Sequence, residues 1–297
     1  MSIKEAKGMI KRFAALFLAL ACFAALGACK PHESIPVEVE IPTDAPASAA
    51  PTAAPTAVPT EVPTEAPTEV PTEEPTDPPL NPSTKRRVYL TVDDGPWEHT
   101  GELLDILAAY GIKATFFTIG RSIKSHPAEA KRIAEEGHLL ACHTMSHDFN
   151  IIYKSPEAFV KDVDEWRAQV IATVGYDAGA YVYRFPGGSN NSSVGGRAGR
   201  GAYVEAMHEK GYIAMDWNLA TNDKWLAGNT EHLPVSEYFW KSYLETYSWY
   251  KDKDPLILII HDTVPESIEL LPRILDDLIA KGFDFGTCDE LTEDYLM

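Results

Sequence analysis

Two adjacent aspartates, Asp93 and Asp94, follow a short apolar segment and precede a Gly-Pro turn. Neighbouring side chains on a strand point in different directions, so one carboxylate could bind a metal ion while the other stays free. Downstream, His143 and His147 stand four residues apart just after another apolar segment. Together with Asp94 they offer three ligands and leave coordination positions open, as a catalytic metal requires. The same ligand types suit non-haem iron oxygenases, so they do not fix the metal.

Three more polar residues follow apolar segments in the same way. His261 ends the apolar run 256–260, where an imidazole can give or take a proton. Arg184 enters a Pro-Gly-Gly turn that lets backbone approach a ligand closely, and Asp223 adds another carboxylate. Each candidate also has an ordinary explanation, such as an acidic turn, solvated loop histidines, a core histidine, a surface arginine or a loop cap. Their joint occurrence after apolar segments is what indicates a catalytic site.

The elements that would position these residues are read from the alternation of apolar runs and helical spacing after Lys85. This order predicts a parallel sheet with helical crossovers, whose functional groups gather at the C-terminal ends of strands. The pattern fits a barrel and an open wound sheet equally well. The predicted strands are 88–92, 114–119, 138–142, 180–184, 212–217, 256–260 and 283–286. The predicted helices are 100–110, 127–136, 156–174, 201–210, 235–250 and 267–281.

The first part of the chain has the features of an export signal and a spacer. Basic residues precede the apolar run 13–26, which is short of the roughly 20 residues that a membrane-spanning helix needs. A transmembrane anchor is therefore the weaker interpretation. Residues 26–29 resemble a bacterial lipobox, which predicts a lipoprotein signal peptide at 1–28 and lipid on Cys29, with a plain cleaved signal as the alternative. The Pro/Thr/Glu-rich segment 29–84 is predicted to be a disordered spacer, or an inert linker with no reach requirement.

The net charge indicates which partners are expected, and the cysteines indicate whether a disulfide is expected. The formal net charge of −18 disfavours nucleic acid and makes a neutral polymer the more natural partner. Cys142 and Cys288 fall in segments placed far apart in the strand order, so free thiols are expected rather than one disulfide.

Residues 85–297 resemble the polysaccharide deacetylases that share the NodB homology domain, carbohydrate esterase family 4. The resemblance implies an α/β fold, a distorted (β/α)7-8 barrel preceded by the disordered Pro/Thr-rich linker. It also implies a divalent metal held by Asp94, His143 and His147, with zinc expected and cobalt or another transition metal as the alternative. The segments that carry the resemblance are 91–96, 143–147, 184–188, 216–223 and 259–261.

The resemblance also implies a role for each of the other site residues. Asp93 would be the general base, oriented by Arg184, and His261 the general acid, oriented by Asp223. Substrate or oxyanion contacts would come from Gly187, Trp217 and Ile259. Three positions depart from the family pattern: Val92 replaces the usual phenylalanine, Gly187 stands where many members have an aromatic residue, and Lys224 stands where some have tryptophan.

The expected activity is hydrolysis of a linear amide: removal of N-acetyl groups from N-acetylglucosamine in cell-wall polysaccharide. Peptidoglycan is the preferred substrate and chitooligosaccharide the second choice. The protein is expected to be a monomer outside the cytoplasm, tethered to the membrane by the lipid on Cys29, with its domain reaching toward the wall. The alternatives are an O-acetyl xylan esterase, a non-catalytic wall-glycan-binding lipoprotein, and an iron oxygenase, which would need a cosubstrate pocket.

Overall fold

The structure, a computed structural model, describes residues 86–297. The predicted signal peptide, the lipidation site Cys29 and the spacer up to residue 84 lie outside the described residues. Between residues 86 and 297, no helix combines the length and apolar character needed to span a bilayer.

Eight strands form one parallel sheet. They are β1 (Arg87–Asp93), β2 (Thr115–Thr118), β3 (Leu139–Cys142), β4 (Gly179–Tyr183), β5 (Ile213–Ala214), β6 (Leu219–Ala220), β7 (Leu256–His261) and β8 (Asp284–Gly286). The order is β5-β4-β3-β2-β1-β7-β6, and β8 pairs with the first half of β1. The sheet curves into a distorted parallel half-barrel, which is the barrel-type alternative of the two predicted architectures.

Helices connect the strands and cover the outer face of the sheet. They are α1 (Thr100–Tyr110), α2 (Gly120–Ser125), α3 (Pro127–Glu135), α4 (Phe149–Ile152), α5 (Pro156–Val174), α6 (Gly196–Gly199), α7 (Gly201–His208), α8 (Val235–Tyr250) and α9 (Pro265–Ala280). The Ser155 side chain accepts a hydrogen bond from the Ala158 N–H, which caps α5, and Pro156 occupies its first turn. The short helices α2, α4 and α6 were not predicted, because one turn is too short to show a 3.6-residue period.

The predicted strand 212–217 is wrong in extent. Only Ile213–Ala214 pairs with β4, and the chain then leaves the ladder. The Asp216 N–H donates to the Tyr295 carbonyl at 2.7 Å and the Asn218 N–H to the Ile257 carbonyl at 3.0 Å. These bonds to two different segments break the strand, and the short strand β6, which pairs with β7, was missed for the same reason.

Side chains of each strand alternate between the two faces of the sheet, and each face carries its own apolar cluster. On β1, Leu90 and Val92 pack outward against the helices, whereas Tyr89 faces the inside of the half-barrel, as a side-chain period of two requires. The inner cluster is filled by Tyr89, Phe117, Ala141, Val182, Met215, Ile257 and Cys288. Further along the same inner face of β1 come Thr91 and Asp93, both buried. The inner face therefore changes from apolar to polar where the strands end.

The two cysteines within residues 86–297 lie on opposite faces of the sheet. Cys142 belongs to the outer cluster and Cys288 to the inner one, and both are buried free thiols. The prediction of free thiols is confirmed. Burial raises the pKa of the Cys288 thiol to about 11, so it stays protonated at neutral pH.

Candidate metal and catalytic site

Asp94, His143 and His147 converge just beyond the ends of β1 and β3. One donor atom from each lies within 4.8 Å of the others, which makes this a group that could hold a metal ion. The Asp94 Oδ1 atom is 3.5 Å from His143 Nε2 and 3.6 Å from His147 Nε2. The structure thus brings the three predicted ligands together, and their metal-binding role stays a prediction.

The protonation states of the two imidazoles fit a metal ligand. His143 Nδ1 lies 3.0 Å from the Arg184 carbonyl, which can only accept, so Nδ1 carries the proton and Nε2 presents its lone pair toward Asp94. Burial lowers the pKa of both His143 and His147 to about 4, so both are neutral at neutral pH. A neutral imidazole whose other nitrogen donates to a carbonyl is the usual form of a metal-bound histidine.

The backbone of the ligand loops is held in an uncommon conformation. Asp94 has a φ of 74°, Thr144 of 69° and His147 of 53°, all in the left-handed region that residues other than glycine seldom occupy. Such residues persist only where the surroundings fix them, and they concentrate at functional sites. Here the Asp94 N–H donates to the Phe117 carbonyl at 3.2 Å, and the Gly120 N–H to the Thr144 carbonyl at 3.0 Å.

Asp93 is held by a fully buried arginine. Arg184 Nη1 donates to Asp93 Oδ1 at 2.6 Å and to Thr91 Oγ1 at 2.7 Å, while the guanidinium also lies over the Phe117 ring at 4.0 Å. Two further donors are used, because Nε donates to the Met215 carbonyl and Nη2 to the Asp216 carbonyl. A guanidinium held by these four hydrogen bonds fixes the Asp93 carboxylate in one orientation.

The second oxygen of Asp93 faces the ligand group. Oδ2 lies 3.8 Å from His143 Nε2, and the Asp93 side chain is almost fully buried. Burial raises the pKa of Asp93, and the positive charge of Arg184 opposes that rise. Asp93 is therefore a carboxylate with one oxygen tied to an arginine and the other beside the three candidate ligands.

His261 and Asp223 form a hydrogen-bonded pair on the other side of the site. His261 Nδ1 lies 2.7 Å from Asp223 Oδ1, and the His261 N–H donates to Asp223 Oδ2 at 2.9 Å. Burial disfavours the charged imidazole, but the hydrogen bond and negative charge of Asp223 outweigh it, so the pKa of His261 is raised. Protonation of His261 is thus favoured, as a proton donor at neutral pH requires.

Gly187 and Trp217 line one cavity of about 130 Å³, together with Gly188, Ser189, Asn190, Asp216 and Met297. Gly187 has a φ of 77°, and a Cβ there would lie 3.1 Å from the Phe149 ring, so this turn requires glycine. Ile259 is buried in β7, and the lining of this cavity does not include it. The structure therefore brings together two of the three predicted substrate residues.

The chain is similar to known proteins. A family model described as polysaccharide deacetylase matches residues 81–204. The peptidoglycan-N-acetylglucosamine deacetylase of Bacillus cereus is 30% identical over 206 residues, which are 69% of this chain and 70% of that protein. The chain belongs to the polysaccharide deacetylase family.

Other polysaccharide deacetylases show the same likeness. A solved catalytic domain of peptidoglycan N-acetylglucosamine deacetylase from Eubacterium rectale has a TM-score of 0.61 and 29% identity, covering 73% of this chain and 94% of that one. A bifunctional xylanase/deacetylase of Pseudobutyrivibrio xylanivorans is 29% identical over 213 residues, 70% of this chain and 31% of that protein. The predictions of the family, the deacetylase class and the barrel-type fold are confirmed.

Several residues that support this deacetylase site were missed by sequence reasoning. Asp162 on α5 accepts from the Met145 N–H at 2.6 Å and the Ser146 N–H at 2.9 Å, and so holds the loop between the two histidines. Ser267 donates to Asp223 Oδ2 at 2.6 Å. Asp162 is an acid on the apolar face of its helix, between Phe159 and Trp166, and this was the available indication. Ser267 gives none, because serine is common in a first helical turn.

Replacing Asp162 with alanine should loosen the histidine loop of this deacetylase. The amide N–H groups of Met145 and Ser146 lose their acceptor, and since both residues are partly exposed we expect a loss of about 2 kcal/mol. Metal affinity should fall about tenfold because the ligand loop is less fixed. Urea unfolding and calorimetric zinc titration measure the two effects. Asp164→Ala, on the same helix but paired with surface Lys210, is the matched control. Equal effects in both variants would contradict an anchoring role.

Proposed function

We propose that this polysaccharide deacetylase removes N-acetyl groups from N-acetylglucosamine in cell-wall polysaccharide, with peptidoglycan as the substrate. The observation that carries the proposal is the pair of proton-transfer groups around Asp94, His143 and His147. A buried carboxylate, Asp93, and an imidazole held by a carboxylate, His261, both adjoin that group. Binding a sugar requires neither, so their presence argues against a non-catalytic glycan-binding protein.

Asp94, His143 and His147 would hold the metal, and zinc fits two imidazoles and one carboxylate. A bound divalent cation would supply a Lewis acid that polarises the acetyl carbonyl and lowers the pKa of water. The chain contributes the base. Asp93 Oδ2 would take the proton from the attacking water, while Arg184 keeps Oδ1 in place and prevents the carboxylate from turning away.

The leaving group is an amide nitrogen, which departs poorly unless it is protonated. His261 directs Nδ1–H to Asp223, so in the imidazolium form the proton on Nε2 is the one that can be transferred. Because the hydrogen bond and negative charge of Asp223 raise the pKa of His261, the protonated form is more favoured than in a free imidazole. His261 is therefore the general acid in this proposal and Asp223 the residue that orients it.

The cavity between Gly187 and Trp217 would receive the acetyl group. The cavity has a volume of about 130 Å³, which is ample for an acetyl group. The Gly187 N–H lies on a turn without a side chain and would donate to the oxyanion, a contact worth about 3 kcal/mol in other enzymes. Ile259 stays a predicted substrate contact from its place two residues before His261.

Three exposed aromatic side chains lie within three residues of the site residues in the sequence. Trp97 follows Asp94, Phe149 follows His147, and Trp225 follows Asp223, with 41%, 36% and 65% of their surfaces exposed. Exposed apolar groups around a polar cleft are typical of a binding groove. The flat faces of sugar rings pack on such side chains, which supports a polymer as the substrate rather than a small amide.

The chain outside the described residues supports a wall location. In this proposal residues 1–28 are a lipoprotein signal, Cys29 carries the lipid, and residues 29–84 are the spacer in front of the catalytic domain at 85–297. A Pro-rich spacer extends by about 3.1 Å per residue, so it could hold the domain up to roughly 150 Å from the membrane. The substrates named for the relatives in Bacillus cereus and Eubacterium rectale also support peptidoglycan.

Metal removal and substrate choice test the proposal together. After dialysis against a chelator the protein should release no acetate from N-acetylglucosamine-containing wall fragments, and added zinc should restore release. Acetate is measured by enzymatic assay and the deacetylated sugar by mass spectrometry. Chitooligosaccharides should be weaker substrates than wall fragments. Release from acetylated xylan but from no N-acetylated polymer would overturn the proposal in favour of an O-acetyl esterase.

A further inference from the structure

Lys224 lies at the mouth of the site, where some members of the family have tryptophan. Its Nζ atom is 3.2 Å from Asp94 Oδ2 and donates to Thr263 Oγ1 at 2.7 Å, and 45% of the side chain is exposed. Asp94 Oδ1, by contrast, faces His143 and His147. The lysine therefore contacts the outward oxygen of Asp94 and remains open to solvent on the groove side.

The surroundings of Lys224 are otherwise acidic. Asp93, Asp94 and Asp223 are carboxylates of the same site, and the chain as a whole carries a formal charge of −18. An acidic protein repels an anionic substrate over long distances. The ammonium group contacts Asp94 Oδ2 and Thr263, and the exposed 45% of the side chain still presents its positive charge to solvent. A half-exposed lysine at this position can thus bind a negative group that enters the groove.

Trp225, the next residue, provides a fixed apolar surface beside this charge. A Cβ on Gly228 would lie 2.8 Å from Trp225 Cδ1, so the indole packs directly on the Gly228 backbone. The Trp225 N–H donates to the Asn222 carbonyl at 2.8 Å, and Tyr238 donates to the Trp225 carbonyl at 3.1 Å. These two bonds fix the backbone of Trp225, the ring itself packs on Gly228, and 65% of the residue is exposed. A sugar ring can pack on it.

We propose that Lys224 and Trp225 form a subsite for a sugar residue that bears a carboxylate and neighbours the N-acetylglucosamine being deacetylated. The indole packs against the ring and the ammonium pairs with the carboxylate. This inference rests on the proposed function and names the preferred substrate class as an anionic N-acetylated glycan. The carboxylate can come from a lactyl ether on the sugar or from a peptide joined to that ether.

The test compares three oligosaccharides of equal length in the full-length protein. One is neutral and built from N-acetylglucosamine, one carries free lactyl carboxylates, and one carries lactyl groups amidated with a short acidic peptide. In Lys224→Gln, the kcat/KM ratio of anionic to neutral substrate should fall about twofold to fivefold, as for a partly exposed ion pair. The anionic oligosaccharide, with free lactyl groups or with the peptide, whose advantage over the neutral one falls in Lys224→Gln identifies the source of the carboxylate.

Two variants serve as controls. Lys224→Arg keeps the charge and should retain most of the preference for the anionic substrate. Lys210→Gln removes a lysine of matched exposure, 46%, that pairs with Asp164 on the surface, and should leave the ratio unchanged. Zinc content is measured in each variant, so that a change at Asp94 is distinguished from a change in substrate choice.

Binding measured without turnover separates this inference from the proposed function. In calorimetric titrations of the zinc-loaded Asp93→Asn protein, the lactyl oligosaccharide should bind more tightly than the neutral one. Adding Lys224→Gln should remove that difference. If acetate is released but Lys224→Gln changes neither the kcat/KM ratio nor the affinity ratio of anionic to neutral substrate, the inference is wrong and the proposed function stands. If no acetate is released from any glycan, the proposed function fails, and the binding ratios alone decide whether Lys224 selects anions.

Discussion

Replacing Asp93 with asparagine should lower kcat for acetate release between about 10²-fold and 10⁴-fold, with the protein still folded and still able to bind zinc. The amide can accept the hydrogen bond from Arg184 that Asp93 Oδ1 accepts at 2.6 Å, so the geometry of the site is kept. The amide cannot take a proton from water, so the loss of kcat measures the contribution of the general base alone. Initial rates of acetate release at saturating substrate measure it.

The choice of asparagine rather than alanine follows from the burial of Arg184. Alanine would leave a fully buried guanidinium without its carboxylate, and breaking a buried pair destabilises a protein by about 3–5 kcal/mol. Zinc affinity and thermal unfolding of Asp93→Asn should match those of the unmodified protein. Asp289→Asn, the same substitution at an exposed position, is the control for preparation of the variant. A kcat within threefold of the unmodified protein would remove Asp93 from the reaction.

Most of the strands along the chain, and the polar residues at their ends, could be predicted from the sequence. Buried parallel strands have apolar residues on both faces, and the change to Asp93 after 88–92 or to His261 after 256–260 marks the point where a strand leaves the core. Helix bounds were clearest where capping is local, as at Ser155 before α5. Such features depend on a few neighbouring residues, so spacing and residue type reveal them.

The parts of the site that depend on distant segments could not be predicted in this way. Arg184 contacts Asp93 across 91 positions of sequence, and the resemblance to a family, not the spacing, indicated that pairing. Asp162 and Ser267 support the site from helices that otherwise show ordinary amphipathic patterns. The break between β5 and β6 depends on Tyr295, near the other end of the domain. These contacts join distant residues, so no local pattern in a single sequence indicates them.

The contacts of Lys224 could not be predicted from the sequence either. The sequence showed that a lysine replaces a tryptophan found in some relatives, but side-chain direction decides what the change means. In the structure the lysine turns inward to Asp94, and Trp225 supplies the exposed ring one position later. The aromatic group is thus present at the rim beside an added positive charge. The proposed subsite assigns the choice of glycan to this charge and the packing of the sugar to the neighbouring ring.

Replacing His261 with glutamine should lower kcat on N-acetylated substrate about 10²-fold to 10⁴-fold, because the amide leaving group then departs without a proton. An ester needs less assistance from an acid, since an alkoxide is a better leaving group than an amide anion. The loss should therefore be smaller on an activated acetate ester such as 4-nitrophenyl acetate. Parallel assays on the two substrates measure this difference, and an equal loss on both would indicate a general structural defect instead of a missing acid.

The pH profile distinguishes a general acid from a residue that only packs in the site. The reaction needs the protonated imidazole, so kcat should decline as the pH rises through the raised pKa of His261. Asp223→Asn removes the negative charge that favours this form, which lowers the pKa of His261 and should move the alkaline decline toward lower pH. The imidazole resonances followed by NMR across pH, with His261→Gln for assignment, provide the pKa independently of activity. An alkaline limb that stays in place while the NMR pKa falls would assign the proton donor to another group.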